Sequence, residues 1–582
     1  MRLQKHTGLY PILVVLTFLI CSALVATVAG CAETSAAGGT SATSVATDTT
    51  ATGATGTSAT AASTSSTAAP AQPAPGGTLA VAIAEPAFID PLDLVESEGI
   101  QVGNALFDSL VAFDPKTSQA VPAVAESWEA SADARVWTFH LRQGTTFHNG
   151  REVTATDFKY AWERICDPEN ESFIAYHLAA VKGFDEMQAG ASAALDGVKA
   201  LDDYTLQVTL SYPFADFDYV VAHTALAPVP REEVEKDPAA YAENPVGNGP
   251  FMMAEPWQHD QYIKVVRYDG YYGSPAYVDG VDFKIVKDPE TAFLEFKAGN
   301  LDFTPIPSGQ VAAAVAQYGE SPDGLESFPG RQALLGPEAT MYFFVFNTED
   351  PVLRDADVRR AISLAVNRDA IAQTIFEGVR TPASSIVPPG IVGYEDGAWQ
   401  YSRFDREEAA RLLARAGHPD GEGIPELVLF TNSGGGHEDV LALMQADLKA
   451  IGIQSRIESA ELAQFLEMLG NKQFQIARYS WTADYPIIDN FVYPLFHSEG
   501  GDNQSLYANP VVDQALVEAR GITSPEERVA AYREIVRMIG DDAPALPIVA
   551  YQHQYLGSER VHGLVYSPLG ICNLEKCWLT TD

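Results

Sequence analysis

The sequence predicts a mixed α/β protein built in more than one lobe. Length is the first observation: 582 residues exceed what one hydrophobic core holds, so two or three domains are expected. The second is periodicity, because segments of period-two apolar alternation interleave with amphipathic helical segments. The third is that no short repeat runs through the chain.

Arg2 and Lys5 make a short positive region, and uncharged apolar stretches cover 12–20 and 23–29. This is the pattern of a secretory signal peptide. A single membrane anchor is the alternative, since the span is nearly long enough. Val28-Ala29-Gly30-Cys31 favours the former. Small residues directly before a cysteine resemble the bacterial lipobox, which implies removal of residues 1–30 and acylation of Cys31. Several acyl chains on that cysteine would anchor the protein to the cell membrane. Residues 31–76 then form a lipid-anchored tether. Positions 32–75 hold almost only Ala, Thr, Ser, Gly, Pro and Gln, too little apolar surface to fold, and disorder is expected. A flexible coil of that length reaches roughly 35–40 Å.

The chain is strongly acidic. Thirty-seven basic against 77 acidic residues give a net charge of −40, which argues against nucleic acid and against electrostatic docking on anionic lipid.

From Gly77 the composition becomes globular. Thr78–Ile83 is a short apolar strand, and Val136–Leu141 and 204–210 alternate with period two, as strands do. Tyr262–Arg267 and 281–286 are further strands. The continuous apolar run 341–346 is expected to be covered on both faces. Helical spacing follows at 357–366, where Val358, Ala361, Ile362 and Ala365 share a side. A helix over 405–416 starts at Asp405, has Glu408 three residues later as a capping-box variant, and stops at Gly417. Segments 509–519 and 525–539 are also helical.

Motifs of catalysis are missing: no Gly-x-Ser-x-Gly elbow, no His-Glu-x-x-His, no phosphate loop and no dinucleotide fingerprint. Ser433-Gly434-Gly435-Gly436-His437 could hold a metal or phosphate, but a strand-to-helix loop explains it better. Of five cysteines, Cys21 leaves with the signal and Cys31 takes lipid. Cys572 and Cys577 are a plausible local disulfide in an oxidising compartment, and Cys166 reads as a buried or free thiol. Their spacing does not suit zinc, and neither a metal nor a cofactor is expected.

One stretch carries functional chemistry: Ala477-Arg478-Tyr479-Ser480-Trp481-Thr482-Ala483-Asp484-Tyr485-Pro486. A strand ending in a loop that bears Arg, Trp and Asp can hold a small zwitterion. The carboxylate takes an ammonium, the guanidinium takes a carboxylate, and the indole covers what lies between.

Several motifs in order resemble the bacterial extracellular solute-binding proteins of family 5, the oligopeptide- and dipeptide-binding components of ABC importers. They include Leu106-Phe107-Asp108-Ser109-Leu110, Trp137-Thr138-Phe139-His140-Leu141-Arg142, Phe147-His148-Asn149-Gly150, Asn244-Pro245-Val246-Gly247-Asn248-Gly249-Pro250-Phe251 and Asp357-Val358-Arg359-Arg360-Ala361-Ile362. The likeness covers about residues 77–560. It implies a two-lobed periplasmic-binding-protein-like fold (type II, cluster C-like) with a hinge and an extra small subdomain. The first lobe would comprise 77–118, 240–337 and 548–582, the inserted subdomain 119–239, and the second lobe 338–547.

The resemblance also implies roles. Arg478, Trp481, Asp484 and Tyr485 match the family's R-x-x-W-x-A-D-Y pattern, in which the aspartate pairs with a peptide α-ammonium. Trp481 lines the cleft or is simple core. Arg478 serves the peptide carboxylate or an internal ion pair. Tyr485 supports the loop. Glu96 and Ser97 fall where the first lobe pairs with peptide backbone, and Tyr176 where the subdomain reaches over the site. The implied protein is an extracytoplasmic, monomeric receptor that captures oligopeptides between its lobes and hands them to membrane permease subunits. Relatives of the same fold that bind a nickel complex, haem or an oligosaccharide are the alternative, and a surface hydrolase is a remote one.

Overall fold

The strand Thr78–Ile83 lies at the centre of the first of two large sheets. In the computed structural model, which describes residues 73–580, it runs parallel to Gly280–Ile285 on one side and Phe303–Pro305 on the other. The signal segment, Cys31 and the tether up to residue 72 lie outside the described residues. The sheet has seven strands, in the order Ala333–Leu334, Tyr555–Gly557, Phe303–Pro305, Thr78–Ile83, Gly280–Ile285, Tyr262–Arg267 and Phe251–Met253. Three distant parts of the chain therefore build one layer.

The second sheet has six strands: Thr381–Pro382, Ala545–Gln552, Pro337–Phe346, Ile476–Thr482, Leu427–Asn432 and Ser455–Ala460. Its longest strand contains the apolar run 341–346, and both faces are covered as such a run requires. Met341, Phe343 and Val345 pack into one core with Trp481. Tyr342, Phe344 and Phe346 pack into another with Val358, Ile362 and Leu412.

Residues 119–239 add a four-stranded antiparallel sheet, Ala125–Ala130, Val136–Leu141, Thr205–Thr209 and Val198–Asp202. Trp137, Phe139 and Trp162 share one continuous core with Leu79, Val81 and Phe283 of the first sheet. The subdomain is thus fused to the first lobe through buried apolar surface.

The chain passes between the two large sheets at 335–336 and returns at 553–554. The crossings touch: the His553 amide donates to the Gly336 carbonyl at 3.0 Å. A Cβ on Gly336 would lie 2.6 Å from the His553 ring and 2.7 Å from the Gly324 carbonyl, so only glycine fits there. Ala545–Gln552 belongs wholly to the second sheet, which puts the return crossing later than the expected boundary at 548. The uninterrupted apolar run 545–550 hides that boundary in the sequence.

Local expectations fare well. The Asp405 carboxylate accepts from the Glu408 amide at 2.9 Å, and Gly417 sits at φ +89° beyond the helix Arg406–Arg415. Gly434, Gly435 and Gly436 all have positive φ and link Leu427–Asn432 to the helix His437–Ala450, a strand-to-helix loop. The disulfide expectation does not hold. Cys572 and Cys577, like Cys166, are buried free thiols. Between the pair runs the 3₁₀ turn Leu574–Lys576. It is pinned by Asn573, which accepts from the Val565 amide at 2.7 Å and donates to the Gly563 carbonyl at 3.1 Å. The Cys577 thiol is left to donate to the Asn573 carbonyl. No helix among the described residues is long and apolar enough to cross a membrane.

Candidate functional site

The strand Ile476–Thr482 lies between Pro337–Phe346, antiparallel, and Leu427–Asn432, parallel. It carries Arg478 and Trp481 within its own length, where a loop bearing both was expected. Side chains alternate along a strand, and three residues is an odd spacing, so the two point to opposite faces. Tyr479 and Trp481 join the core cluster on one face, and Ile476 that on the other. A single clamp made of Arg478, Trp481 and Asp484 is therefore not formed.

The Trp481 face leads to Asp484. The indole is 9% exposed and its Nε1 donates to Asn490 Oδ1 at 3.1 Å. The same oxygen accepts from the Asp484 amide at 3.2 Å, and Asn490 Nδ2 donates to Asp484 Oδ2 at 3.1 Å. Asp484 Oδ1 accepts from the Tyr176 hydroxyl at 2.8 Å. Tyr176 belongs to the subdomain, on the 3₁₀ turn Ala175–Leu178, so this bond joins parts of the chain 308 residues apart.

Both donors to Asp484 are neutral. The ion pairs among the described residues include none to this carboxylate, although Asp90, Asp216 and Asp489 each hold an arginine. Burial raises the Asp484 pKa, and the bonds from Asn490 and Tyr176 pull it down. Two histidines stand behind Tyr176. The Tyr176 and His177 rings stack at 4.3 Å, and His177 and His223 at 4.6 Å. Desolvation lowers each imidazole to about 3, so at neutral pH neither supplies a cation. A further carboxylate, Asp502, accepts from the Tyr479 hydroxyl at 3.2 Å. Burial and then the Asp484 charge push it up to about 6. The region is negative, desolvated and short of positive charge.

On the opposite strand face the Arg478 guanidinium lies over the Tyr342 ring, 5.3 Å from its centroid, with its Nε buried and without a hydrogen-bond partner. The Tyr342 hydroxyl is 3.2 Å from His437 Nδ1. Burial, followed by the charges of Arg478 and Arg380, lowers His437 to about 3. This second spot is cationic.

Glu96 and Ser97 lie apart from these two, and Tyr485 borders the first. Tyr485 follows Asp484 and packs against the core shared by the first sheet and the subdomain. Glu96 caps the helix Ser97–Leu106, accepting from the Gly99 and Ala87 amides at 3.1 and 2.8 Å. Desolvation pushes Glu96 up to about 7. Ser97 begins that helix. The structure therefore brings Tyr176, Trp481 and Asp484 together, sets Arg478 behind them, and places Glu96 and Ser97 at a separate helix end. Asn490, His177, His223, Asp502 and His437 were not foreseen. Asn490 had a signal, as an amide directly before the apolar run 491–492 and six residues beyond Asp484.

Known proteins are similar over most of this architecture. The model of the bacterial extracellular solute-binding proteins, family 5 Middle, matches residues 119–503. The chain belongs to this family. The oligopeptide-binding protein OppA of Bacillus subtilis is 27% identical to it over 77% of this chain and 82% of its own. The probable deoxycholate-binding periplasmic protein YgiS of Escherichia coli is 30% identical over 80% of this chain and 86% of its own. Among solved structures, the murein tripeptide-binding protein MppA in its unliganded open form superposes with a TM-score of 0.77 at 25% identity. That match covers 88% of this chain and 98% of the other. Family 5 proteins are two-lobed transport receptors, and the two large sheets here are the centres of the two lobes.

Proposed function

We propose that this protein is the extracytoplasmic receptor of an ABC importer, binding oligopeptides between its lobes and passing them to the membrane permease. It acts without chemistry, as a monomer, tethered through residues 31–76 to a lipid on Cys31. The observation that carries the peptide reading is Asp484: a carboxylate where the subdomain meets the second lobe, held by the neutral donors Tyr176 and Asn490 and by no cation. An ammonium supplies the missing charge. A part-buried charge left without a cation is costly, so the site favours a ligand with a free amino end. Trp481 and Tyr176 flank that end. Arg478, with an unpartnered Nε beside Tyr342 and His437 on the opposite strand face, forms a separate cationic spot and is not part of this clamp.

The similarity to an oligopeptide-binding protein supports this reading. The name of YgiS raises a bile acid instead, but an anion without an ammonium would meet Asp484 and Asp502 and be repelled. An oligosaccharide is disfavoured because Trp257 and Trp399 are buried in cores, at 7% and 3% exposure. Native mass spectrometry of protein purified without refolding tests the proposal. Peptide masses released on denaturation are the expected result, and a homogeneous non-peptide solute would contradict it.

A further inference from the structure

The subdomain and the second lobe are joined by a closed ring of polar contacts, and Asp484 is one link in it. Asp216 of the subdomain pairs with Arg528 on the helix Pro525–Asp542, Nε–Oδ1 2.8 Å and Nη2–Oδ1 2.6 Å, with side chains 6% and 7% exposed. Tyr532 lies four residues on, hence on the same helix face. Its hydroxyl donates to Asp489 Oδ1 at 2.8 Å. Arg520 completes Asp489 with Nε and Nη2 at 2.9 and 2.7 Å, and the Arg520 carbonyl accepts from the subdomain's Ala215 amide at 2.7 Å. Asp489 is followed directly by Asn490, which holds both Trp481 and Asp484. Asp484 then returns the ring to the subdomain through Tyr176.

Charge in the ring is uneven in a useful way. Asp216 is offset by Arg528 and Asp489 by Arg520, whereas Asp484 has no such partner. The balanced links are rigid, since each is buried and has more than one bond. They bear on Asn490 through its chain neighbour Asp489 on one side, and they anchor the subdomain that carries Tyr176 on the other. We propose that Asp216, Arg528, Tyr532 and Asp489 are positioning residues for the ammonium site. On this view they hold Asn490 and Tyr176 so that the Asp484 carboxylate is aimed before a ligand arrives. Preorganisation of this kind raises affinity by removing ordering that the ligand would otherwise have to impose.

The inference rests on the peptide-receptor reading, and the test separates the two. Alanine peptides of three to five residues are titrated with free and with N-acetylated amino ends, and the affinity ratio of the two forms is taken for each protein. Wild type should show a large ratio. Asp216→Asn should reduce it roughly tenfold, the scale of one lost hydrogen bond to a charged group, with the acetylated peptides unaffected. Tyr532→Phe removes one hydroxyl without changing the core volume and should reduce the ratio several-fold. It keeps the test decisive if Asp216→Asn does not fold. The exchanged pair Asp216→Arg with Arg528→Asp should recover most of the ratio. A ratio that stays within about twofold of wild type in the folded single variants overturns the positioning role and leaves the receptor reading intact. A wild-type ratio near one overturns both.

Discussion

Asp484 and Asp489 stand five residues apart after the same strand, the first part-buried and the second fully buried. Asp489 is fully buried and receives two bonds from Arg520 and one from Tyr532. Asp484 receives one bond from Tyr176 and one from the Asn490 side chain, with no cation. The first is complete as it stands. The second is satisfied in hydrogen bonds but not in charge. On the proposed reading, scaffold and ligand site differ in charge more than in hydrogen bonds, because hydrogen bonds from neutral donors only partly repay the desolvation of an ion.

Substitution should break this contrast in opposite directions. Asp489→Asn strands the Arg520 guanidinium, whose side chain is only 9% exposed. About 3–5 kcal/mol of stability should be lost, measured by denaturant unfolding, and a loss like that of a surface ion pair would place Asp489 wrongly. Asp484→Asn should behave in reverse. Its amide can accept from Asn490 and donate to the Tyr176 oxygen, so both bonds survive. Unfolding stability should be unchanged or higher, while peptide affinity falls by about 2–5 kcal/mol. Parallel losses of stability and affinity would make Asp484 scaffold.

A smaller effect follows from pH. Burial raises the Asp484 pKa above the usual aspartate value. Affinity for a free-amino peptide should therefore fall with acid at a higher pH than an exposed aspartate near 4 would dictate. The stability of the empty protein has the opposite sign. A carboxyl with a raised folded pKa adds stability that is fully present below its unfolded pKa and is lost as pH rises through the folded one. Thermal unfolding of wild type against Asp484→Asn across that range should isolate the contribution. The smallest effect is expected from Trp481→Phe, which keeps an aromatic ring but removes the Nε1 bond to Asn490. About 1 kcal/mol of affinity should be lost. No change in titration calorimetry would mean that Asn490 is oriented without it.

Much of the scaffold was legible. Strands such as Val136–Leu141 and Tyr262–Arg267 match their periodicity residue for residue, and the caps at Asp405 and Gly417 follow from local hydrogen bonding. These features depend on neighbours in sequence. The face of Arg478 was also readable, since Tyr479 and Trp481 mark a period of two that continues through the arginine. Treating the stretch as a loop concealed it. The Asp216–Arg528 link was not legible, because the two are 312 residues apart, whereas Tyr176, 308 residues from Asp484, was placed over the site by the family resemblance alone. Nothing in a single sequence pairs such distant charges, and only the fold decides which carboxylate keeps a cation.

On the proposed reading, Asp484 awaits a ligand ammonium. Titration calorimetry of wild type with one peptide in free and N-acetylated form tests it directly. Binding of the free form and a loss of at least about 2 kcal/mol on acetylation is the predicted result. Equal affinity for the two forms would contradict it.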